Sequence, residues 1–132
     1  MGGPKDESDY RTQETERPLS SRLAADRFYN ALSESHRRRL LYYLGGTEES
    51  TVEELASVLS GWEATMTGTM HTAEDRSAIH IQLLHNHLPR LADADLIDYD
   101  VDAGTVQLAP LHPRVTEIIR QSVEAEQLAG SE

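Results

Sequence analysis

The chain has no cysteine and a single lysine, and it has no long hydrophobic run. Without cysteine there are no disulfide bonds and no thiolate metal sites, which is compatible with an intracellular setting. No apolar stretch approaches the ~20 residues of a membrane-spanning helix, and the first residues lack the hydrophobic segment of a secretion signal. We therefore expect a cytoplasmic protein that does not associate with membranes.

The sequence also lacks the short motifs of common enzymes, such as a Gly-rich phosphate loop, His-Glu-x-x-His or Gly-x-Ser-x-Gly. His80, His85 and His87 lie close together in the sequence, and imidazole suits zinc, copper or nickel. On a regular helix, however, His80 and His87 would stand about 10 Å apart along the axis, too far for one ion, and His85 would point elsewhere. We expect neither catalysis nor a metal or other cofactor.

Acidic residues dominate the charge balance, with 23 Asp and Glu against 12 Lys and Arg and a formal net charge of -11. An acidic chain that nearly excludes lysine resembles the proteins of salt-loving archaea, whose cytoplasm holds molar potassium; an ordinary acidic protein is the alternative. In dilute salt such a chain is repelled by DNA phosphates. Near 1 M ionic strength the Debye length falls to about 3 Å, so that only close contacts count. Net charge therefore does not exclude nucleic-acid binding.

Polarity divides the chain into three parts. Residues 1–20 are polar and charged without apolar periodicity, which predicts a disordered arm. Residues 21–110 carry the periodic apolar pattern of one folded domain, and residues 111–128 form an amphipathic helix with Pro113 at its first position. We expect one domain flanked by an arm and a terminal helix.

Capping signals predict the helices of the first half of the domain. The candidate N-caps are Ser20 or Ser21 for a first helix and Ser33 or Ser35 for a second. The second helix, residues 36–44, should end at Gly45-Gly46. Thr51 and Glu54 have the spacing of a capping box and predict a third helix. Residues 61–71, with Trp62, Met66 and Met70, are expected to form a longer loop that Thr72 ends by capping the next helix.

Residues 74–108 read as one long amphipathic helix followed by a tight hairpin. The apolar stripe of the helix is predicted to consist of Ile81, Leu84, Leu88 and Leu91. Pro89 should bend or restart the helix after Leu88, because proline has no amide to donate. The hairpin strands are expected to alternate Ile97, Tyr99 and Val101 with aspartates, and to return at residues 105–108 after a turn at Asp102-Ala103-Gly104. This order predicts a mainly α fold with a small β-hairpin wing, a winged helix-turn-helix.

Four segments carry a family resemblance: residues 28–33, 37–44, 52–56 and, most specifically, 87–99. They resemble the winged-helix domain abundant in halophilic archaea, a mostly uncharacterised family related to arsenical-repressor-type regulators. The resemblance covers about residues 24–110 and implies a winged-helix fold, a role in transcription and frequent dimerisation. Two departures are Asp95, where the family pattern usually has glycine, and the gap between Ser60 and Glu74. That gap exceeds the turn of a simple helix-turn-helix, which weighs against close presentation to DNA.

The candidate DNA-binding side chains fall on two helices. On the helix before the hairpin, arginine can meet phosphates or guanine, and the amides can pair with adenine; the candidates are Arg76, His80, Gln82, Asn86, His87 and Arg90. A merely solvated helix face is the alternative. Arg37, Arg38 and Arg39 form the only basic cluster, and they oppose the dipole at the start of their helix. They could contact phosphate, or pair with Glu48-Glu49 or Glu53-Glu54, and the excess of acids favours the pairing.

The terminal helix bears on partners. Its apolar side comprises Val115, Ile118, Ile119 and Val123. It can fold back on its own domain or pair with a second copy, and we expect a homodimer that presents two helices to successive grooves of double-stranded DNA. The predicted function is that of a DNA-binding transcriptional regulator adapted to high salt. The alternative is a protein-interaction adaptor that uses an acidic wing and an apolar edge over residues 79–83.

Overall fold

The computed structural model describes residues 18–130, with side chains described from residue 25 to residue 129. It is mainly helical with one small antiparallel sheet, as predicted. Most of the expected N-terminal arm lies outside the described residues, and its last three residues belong to the first helix. The elements are α1 (Pro18–Ala31), α2 (Ser35–Gly45), β1 (Ser50–Thr51), α3 (Val52–Thr67), α4 (Ala73–Gln82), a π-helical turn (Leu83–His87), α5 (Leu88–Asp93), β2 (Ile97–Asp100), β3 (Thr105–Leu108) and α6 (Pro113–Gly130). We call residues 73–93 the central helix.

The hydrophobic core lies between α2, α3, the central helix and the sheet. Its fully buried side chains are mostly leucines: Leu40, Leu41, Leu44, Leu55, Leu59, Leu83, Leu88 and Leu91, joined by Val106 and Val123. Leucine is a strong helix former, so the same residues favour the helices and fill the space between them. None of the helices in the described part of the chain combines the length and hydrophobicity that crossing a bilayer requires.

The predicted hairpin forms a wing beside the central helix. Strands β2 and β3 pair antiparallel with Tyr99 opposite Val106, and Gly104 takes a positive φ of 71° in the turn. Val101 lies beyond the paired strand and is exposed, so its predicted inward position is wrong. Asp95 takes the left-handed conformation, with φ 62°, which non-glycine residues adopt at some cost. The backbone thus enters the wing through a turn whose conformation glycine adopts more readily than aspartate.

The sheet has a third strand that the sequence pattern did not predict. Strand β1 is only two residues long, and it pairs with β3 rather than with β2, which gives the order β1-β3-β2. Its register places Ser50 opposite Val106. The backbone amide of Val52 also donates to the carbonyl of Gly104 at 3.1 Å. The start of α3 is therefore tied to the turn of the wing.

Helix ends follow the predicted capping signals in part. Thr51 and Glu54 form the predicted capping box, and Gly45-Gly46 end α2. Neither Ser33 nor Ser35 caps α2, because Glu34 occupies the N-cap without a side-chain hydrogen bond. The hydroxyl of Ser33 instead donates back to the carbonyl of Asn30 at 2.6 Å. The free amides at the start of α2 are thus not protected by a serine.

The predicted loop over residues 61–71 is wrong in its first half. Helix α3 continues through Gly61 to Thr67 and ends where Gly68 takes a left-handed φ of 72°. Thr72 caps α4 as predicted, in a second capping box with Asp75. Only residues 68–72 join α3 to α4, so the long gap inferred from the sequence becomes a short turn between two closely packed helices. The objection to a helix-turn-helix that this gap raised is therefore removed.

The apolar stripe of the central helix is also not the predicted one. Ile79 and Leu83 are buried, whereas Ile81 and Leu84 are exposed, and Leu88 and Leu91 are buried as expected. The register changes because the amide of Leu88 donates to the carbonyl of Leu83, five residues earlier, in the π-helical turn. Such a turn inserts one residue into the helix and rotates one half relative to the other. Pro89 follows at once, so the predicted restart after Leu88 is confirmed.

The C-terminal helix α6 folds back on its own chain. Pro113 is its first residue, as predicted, and the helix packs along α2. Ile119 and Val123 are buried in this contact and Val115 is packed against the core. Of the predicted dimerisation residues only Ile118 is exposed. The larger part of that apolar side therefore stabilises the monomer and is not available to a second copy in this fold.

Two glycine substitutions test the extent of α3. Gly68→Ala should lower the free energy of unfolding by about 1 kcal/mol, because the left-handed conformation strains a side chain even though no atom lies within 4 Å of an added Cβ. Gly61→Ala should raise it by up to about 1 kcal/mol, because alanine is the better residue inside a helix. Urea unfolding of the two variants measures both changes. If Gly61→Ala does not stabilise the chain, α3 does not run through that position.

Candidate functional site

Three of the nine candidate DNA-binding residues lie in the interior. The exposed fractions are 3% for Arg37, 7% for Arg39 and 2% for His87. None of these side chains can reach a nucleic acid without unfolding its surroundings, so their assignment to a binding surface is wrong. Arg38 is partly buried and donates to the carbonyl of Leu32 at 2.7 Å. The only basic cluster of the sequence is thus a structural element.

Arg37 and Arg38 satisfy the carbonyl groups at the end of α1. The Nε of Arg37 donates to the carbonyl of Ala31 at 2.8 Å, and its Nη2 donates to the carbonyl of Asn30 at 3.0 Å. Helix C-termini carry unpaired carbonyls and a partial negative charge, which cations stabilise. The dipole of α2 disfavours these cations at the start of that helix. Their hydrogen bonds to the carbonyls at the end of α1 offset this cost. Burial lowers the pKa of Arg37 from its usual value.

Arg39 holds the terminal helix. Its Nε and Nη2 each donate to a carboxylate oxygen of Glu126 at 3.0 Å, and its guanidinium lies 5.8 Å from the centre of the Trp62 ring. The expectation that the cluster pairs within the chain is confirmed, but the predicted partners Glu48-Glu49 and Glu53-Glu54 are wrong. The true acidic partner lies on α6, at the other end of the chain. A bidentate, mostly buried pair of this kind fixes orientation as well as position.

His87 joins the π-helical turn to Arg37. The Nη1 of Arg37 donates to the Nδ1 of His87 at 3.2 Å, so this nitrogen carries no proton and the ring is neutral. Burial, followed by the charges of His36 and Arg37, lowers the pKa of His87 to about 4. His36 stacks edge-on against His87 with ring centres 5.5 Å apart, and its Nε2 lies 3.0 Å from a carboxylate oxygen of Glu63. A histidine predicted to face DNA is therefore part of the core.

The remaining candidates on the central helix are at the surface. Arg76, Gln82 and Arg90 are exposed, and His80 and Asn86 are partly buried. Arg76 and His80 border a groove between α3 and α4, together with Glu53 and Ser57 of α3. Arg90 lies at the other end of the helix, about 20 Å from Arg76 along the axis. The arginines proposed to bind DNA, all of which the structure describes, therefore do not converge into one patch.

Arg90 and the two amides form a hydrogen-bonded row. The Nε of Arg90 donates to Asn86 Oδ1 at 2.6 Å, and Asn86 Nδ2 donates to Gln82 Oε1 at 3.2 Å. The Nη1 of Arg90 also donates to Asn30 Oδ1 on α1 at 2.8 Å. Asn30 contacts the buried Arg37 through its carbonyl, so the row continues into the core. The guanidinium of Arg90 is thereby held in one orientation, with part of its donor set still facing solvent.

The outward face of the central helix contains residues that the sequence analysis did not assign to binding. Three groups one helical turn apart are exposed there: Ser77 and Ala78, then Ile81, then Leu84 and His85. Ile81 and Leu84 were expected in the core, and the π-helical turn places them outside instead. The sequence prediction assumed a regular period of about 3.6 residues along the whole helix. The π-helical turn adds one residue and interrupts that period, so the prediction placed the wrong residues on this face.

The central helix is also distinguished by the absence of carboxylates between its two ends, where Glu74, Asp75 and Asp93 lie. Between Asp75 and Asp93 the sequence has no acidic residue, and this is the longest such stretch in a chain with 23 Asp and Glu. The same stretch carries Arg76, Arg90 and three histidines. The wing is the opposite, with Asp98, Asp100 and Asp102 exposed. The chain is therefore acidic overall but carries no carboxylate along most of its central helix. The sequence contains this signal, but the spacing of its apolar residues does not reveal it.

Comparison with known proteins identifies the family. Residues 29–107 match the family model described as a domain of unknown function, DUF7344. The chain belongs to this family. The matched DUF7344 region extends from the end of α1 to strand β3, so it includes the buried arginines, the central helix and the wing, and ends before α6. No curated protein and no solved structure matches the chain. In the part of the chain that the structure describes, no three His, Asp or Glu side chains are grouped as a metal site requires.

The lowered pKa of His87 predicts a pH dependence of stability. In the unfolded chain histidine titrates near 6.5, whereas His87 in the fold titrates at about 4. Between these values the unfolded state binds the proton first, so stability is complete above pH 6.5 and is lost as the pH falls towards 4. The loss should be about 3 kcal/mol. This loss of stability should be absent from His87→Gln, in which the glutamine can still accept a hydrogen bond from Arg37. It should be unchanged in His85→Gln, because the side chain of His85 is exposed. Unfolding at pH 7 and pH 4 measures the difference, and equal pH dependence in all three proteins would contradict it.

Proposed function

We propose that the chain is a DNA-binding transcriptional regulator of the haloarchaeal winged-helix type, which acts in a cytoplasm of high salt. The observation that carries this proposal is the exposed surface of the central helix between Asp75 and Asp93, which has no carboxylate of its own in an otherwise acidic chain. DNA is a dense polyanion, so acids at its interface are costly even where salt screens distant charges. If this helix contacted only water or the interior of its own domain, carboxylates on its exposed surface would not be costly.

The architecture supports this use of the central helix. Helices α3 and α4 are joined by residues 68–72 and pack closely, which is the arrangement of a helix-turn-helix. Residues early in the second helix of such a pair contact bases, and the first helix crosses the backbone. Arg76 lies in this early part, beside Ser57 of α3. Arginine and serine are both common contacts to phosphate oxygens.

The charge distribution supports action at high salt. Only Arg76 and Arg90 are placed on the central helix to neutralise phosphates, so few counterions are released on binding. A slope of roughly -2 follows for the logarithm of affinity against the logarithm of salt concentration, at about -0.9 for each phosphate contact. Repulsion between DNA and the remaining acids weakens as salt rises, which makes the slope shallower still. Binding can therefore persist at salt concentrations that dissociate lysine-rich DNA-binding proteins.

A protein-interaction adaptor is the second candidate, and one observation favours it. Ile81 is 55% exposed and Leu84 is 38% exposed on the central helix, and exposed aliphatic pairs occur at protein interfaces. Ile79 and Leu83, which bound the apolar edge expected for an adaptor, are buried, so that edge does not lie at the surface as predicted. The aspartates of the wing suit a basic protein better than they suit DNA. In this alternative the central helix binds another protein, and nucleic acid plays no part.

We further propose that two copies associate through α6. Ile118 is exposed on this helix, although Ile119 and Val123 face the core of the same chain. A symmetric pair would present two central helices to successive major grooves of double-stranded DNA. The fold of each copy is complete without the other and Ile118 offers only a small apolar area, so the association is expected to be reversible and weaker than that of a stable dimer.

Removing the two surface arginines of the central helix tests the DNA proposal. The double variant Arg76→Ala, Arg90→Ala should bind duplex DNA in molar KCl at least tenfold more weakly than the parent, because charge-assisted contacts to phosphate are lost. The control is Arg114→Ala, Arg120→Ala, which removes the same charge from α6 and should bind as the parent does. Fluorescence anisotropy on duplexes selected by the parent from a random pool gives both affinities. Equal affinity of the double variant and the parent, with both folded by circular dichroism, contradicts the proposal.

Sedimentation tests the association of two copies. In molar KCl the parent should sediment with a mass about twice the 14.7 kDa of one chain. Ile118→Glu should shift it to the monomer, because an exposed carboxylate replaces an apolar contact, and Thr116→Glu on the same helix should not. A parent that remains a 14.7 kDa species at micromolar concentration contradicts the homodimer.

A further inference from the structure

The exposed aliphatic residues of the central helix form a short stripe in the middle of the surface proposed to enter the DNA groove. We call Ala78, Ile81 and Leu84 the aliphatic stripe; all three are exposed. Exposing Ile81 to water while Ile79 and Leu83 are buried costs free energy, since apolar area is left unburied. The stripe follows from the π-helical turn, and its residues belong neither to the core cluster nor to the apolar residues packed against that cluster.

The surroundings of the stripe indicate what covers it. Arg76 precedes it, Gln82 and His85 flank it, and no carboxylate occurs between Asp75 and Asp93. A protein partner or a second copy would need a much larger apolar area, since a stable interface buries about 800 Å² on each side. Three partly exposed aliphatic side chains supply only a small part of that area. The acids nearest in sequence, Glu74 and Asp75, lie one turn before Ala78, and no acid of the helix lies beside Ile81 or Leu84. A narrow apolar line bordered there by hydrogen-bonding and cationic groups fits the floor of a DNA major groove better.

Within the major groove, one group is apolar. The C5 methyl of thymine projects into the groove, and small aliphatic side chains contact it, whereas the other base edges present donors and acceptors. We infer that Ile81, with Ala78 beside it, contacts thymine methyl groups and so makes the chain select duplexes with thymine at fixed positions. This inference rests on the proposed function, because it specifies which bases the same helix recognises. Gln82 stands next to Ile81 and has the amide geometry that pairs with adenine, the partner base of thymine.

Replacing thymine by uracil removes the methyl group and leaves every hydrogen bond in place. The probe is a duplex that the parent chain enriches from a random pool in molar KCl, made again with deoxyuridine at each thymine in turn. At one or two positions the affinity of the parent should fall about fourfold, the effect of one buried methyl group. Ile81→Ala should bind the thymine duplex more weakly and should show no further loss with deoxyuridine at those positions.

The control is Val101→Ala, which shortens an exposed aliphatic residue on the wing and should keep the full sensitivity of the parent to deoxyuridine. Because Ile81 is exposed, Ile81→Ala is expected to fold, and circular dichroism checks this. A pool from which the parent enriches no duplex overturns the proposed function together with the inference. Enrichment followed by equal affinity for thymine and deoxyuridine duplexes overturns the inference alone. The inference also fails if Ile81→Ala keeps full DNA affinity and abolishes self-association in sedimentation, because the stripe is then a protein interface.

Discussion

The contact between Arg37 and His87 is the interaction on which the rest of the structure depends. One buried guanidinium closes the end of α1 through two carbonyls and also holds the ring of His87, the last residue of the π-helical turn. It can do so because the imidazole is neutral and offers a lone pair. Removing either side chain would leave buried polar atoms without partners, which costs more than the hydrogen bond itself contributes. The first helix, the second helix and the central helix are thereby locked to one another at a single point.

This lock determines which face of the central helix is exposed. With the ring of His87 turned inward beside Leu83 and Leu88, the helix must accommodate one additional residue, and the amide of Leu88 reaches back five residues to do so. Pro89 follows and donates no amide, so the ladder is already interrupted there. The first half of the helix is consequently rotated so that Ile79 faces the core and Ile81 faces solvent. The proposed DNA-binding surface lies between Asp75 and Asp93. This rotation determines which of its side chains are exposed.

Local signals were readable from the sequence, and contacts between distant segments were not. The hairpin, the capping box at Thr51, the cap at Thr72, the glycine end of α2 and the proline start of α6 each depend on residues within a few positions of one another, and all are confirmed. Gly61 was misread as a loop residue because glycine inside a helix differs from glycine after it only in its backbone conformation. The partners of the arginine cluster could not be found either, since Arg39 and Glu126 are 87 positions apart. The π-helical turn has no local signature beyond Pro89, and the contact that His87 makes from it joins residues 50 positions apart. For the candidate site, Arg76, Gln82 and Arg90 were placed at the surface correctly, whereas their relation to DNA stays a prediction.

The most direct test of this rotation uses the absence of cysteine in the parent chain. Single cysteines at Ile79 and Ile81 report which of the two side chains faces water, without any background thiol. The structure predicts that Ile81→Cys reacts with a thiol reagent at nearly the rate of an unfolded peptide, and that Ile79→Cys, at a position only 7% exposed, reacts orders of magnitude more slowly. Rapid labelling at residue 79 together with protection at residue 81 would contradict the exposed face on which the proposed function depends.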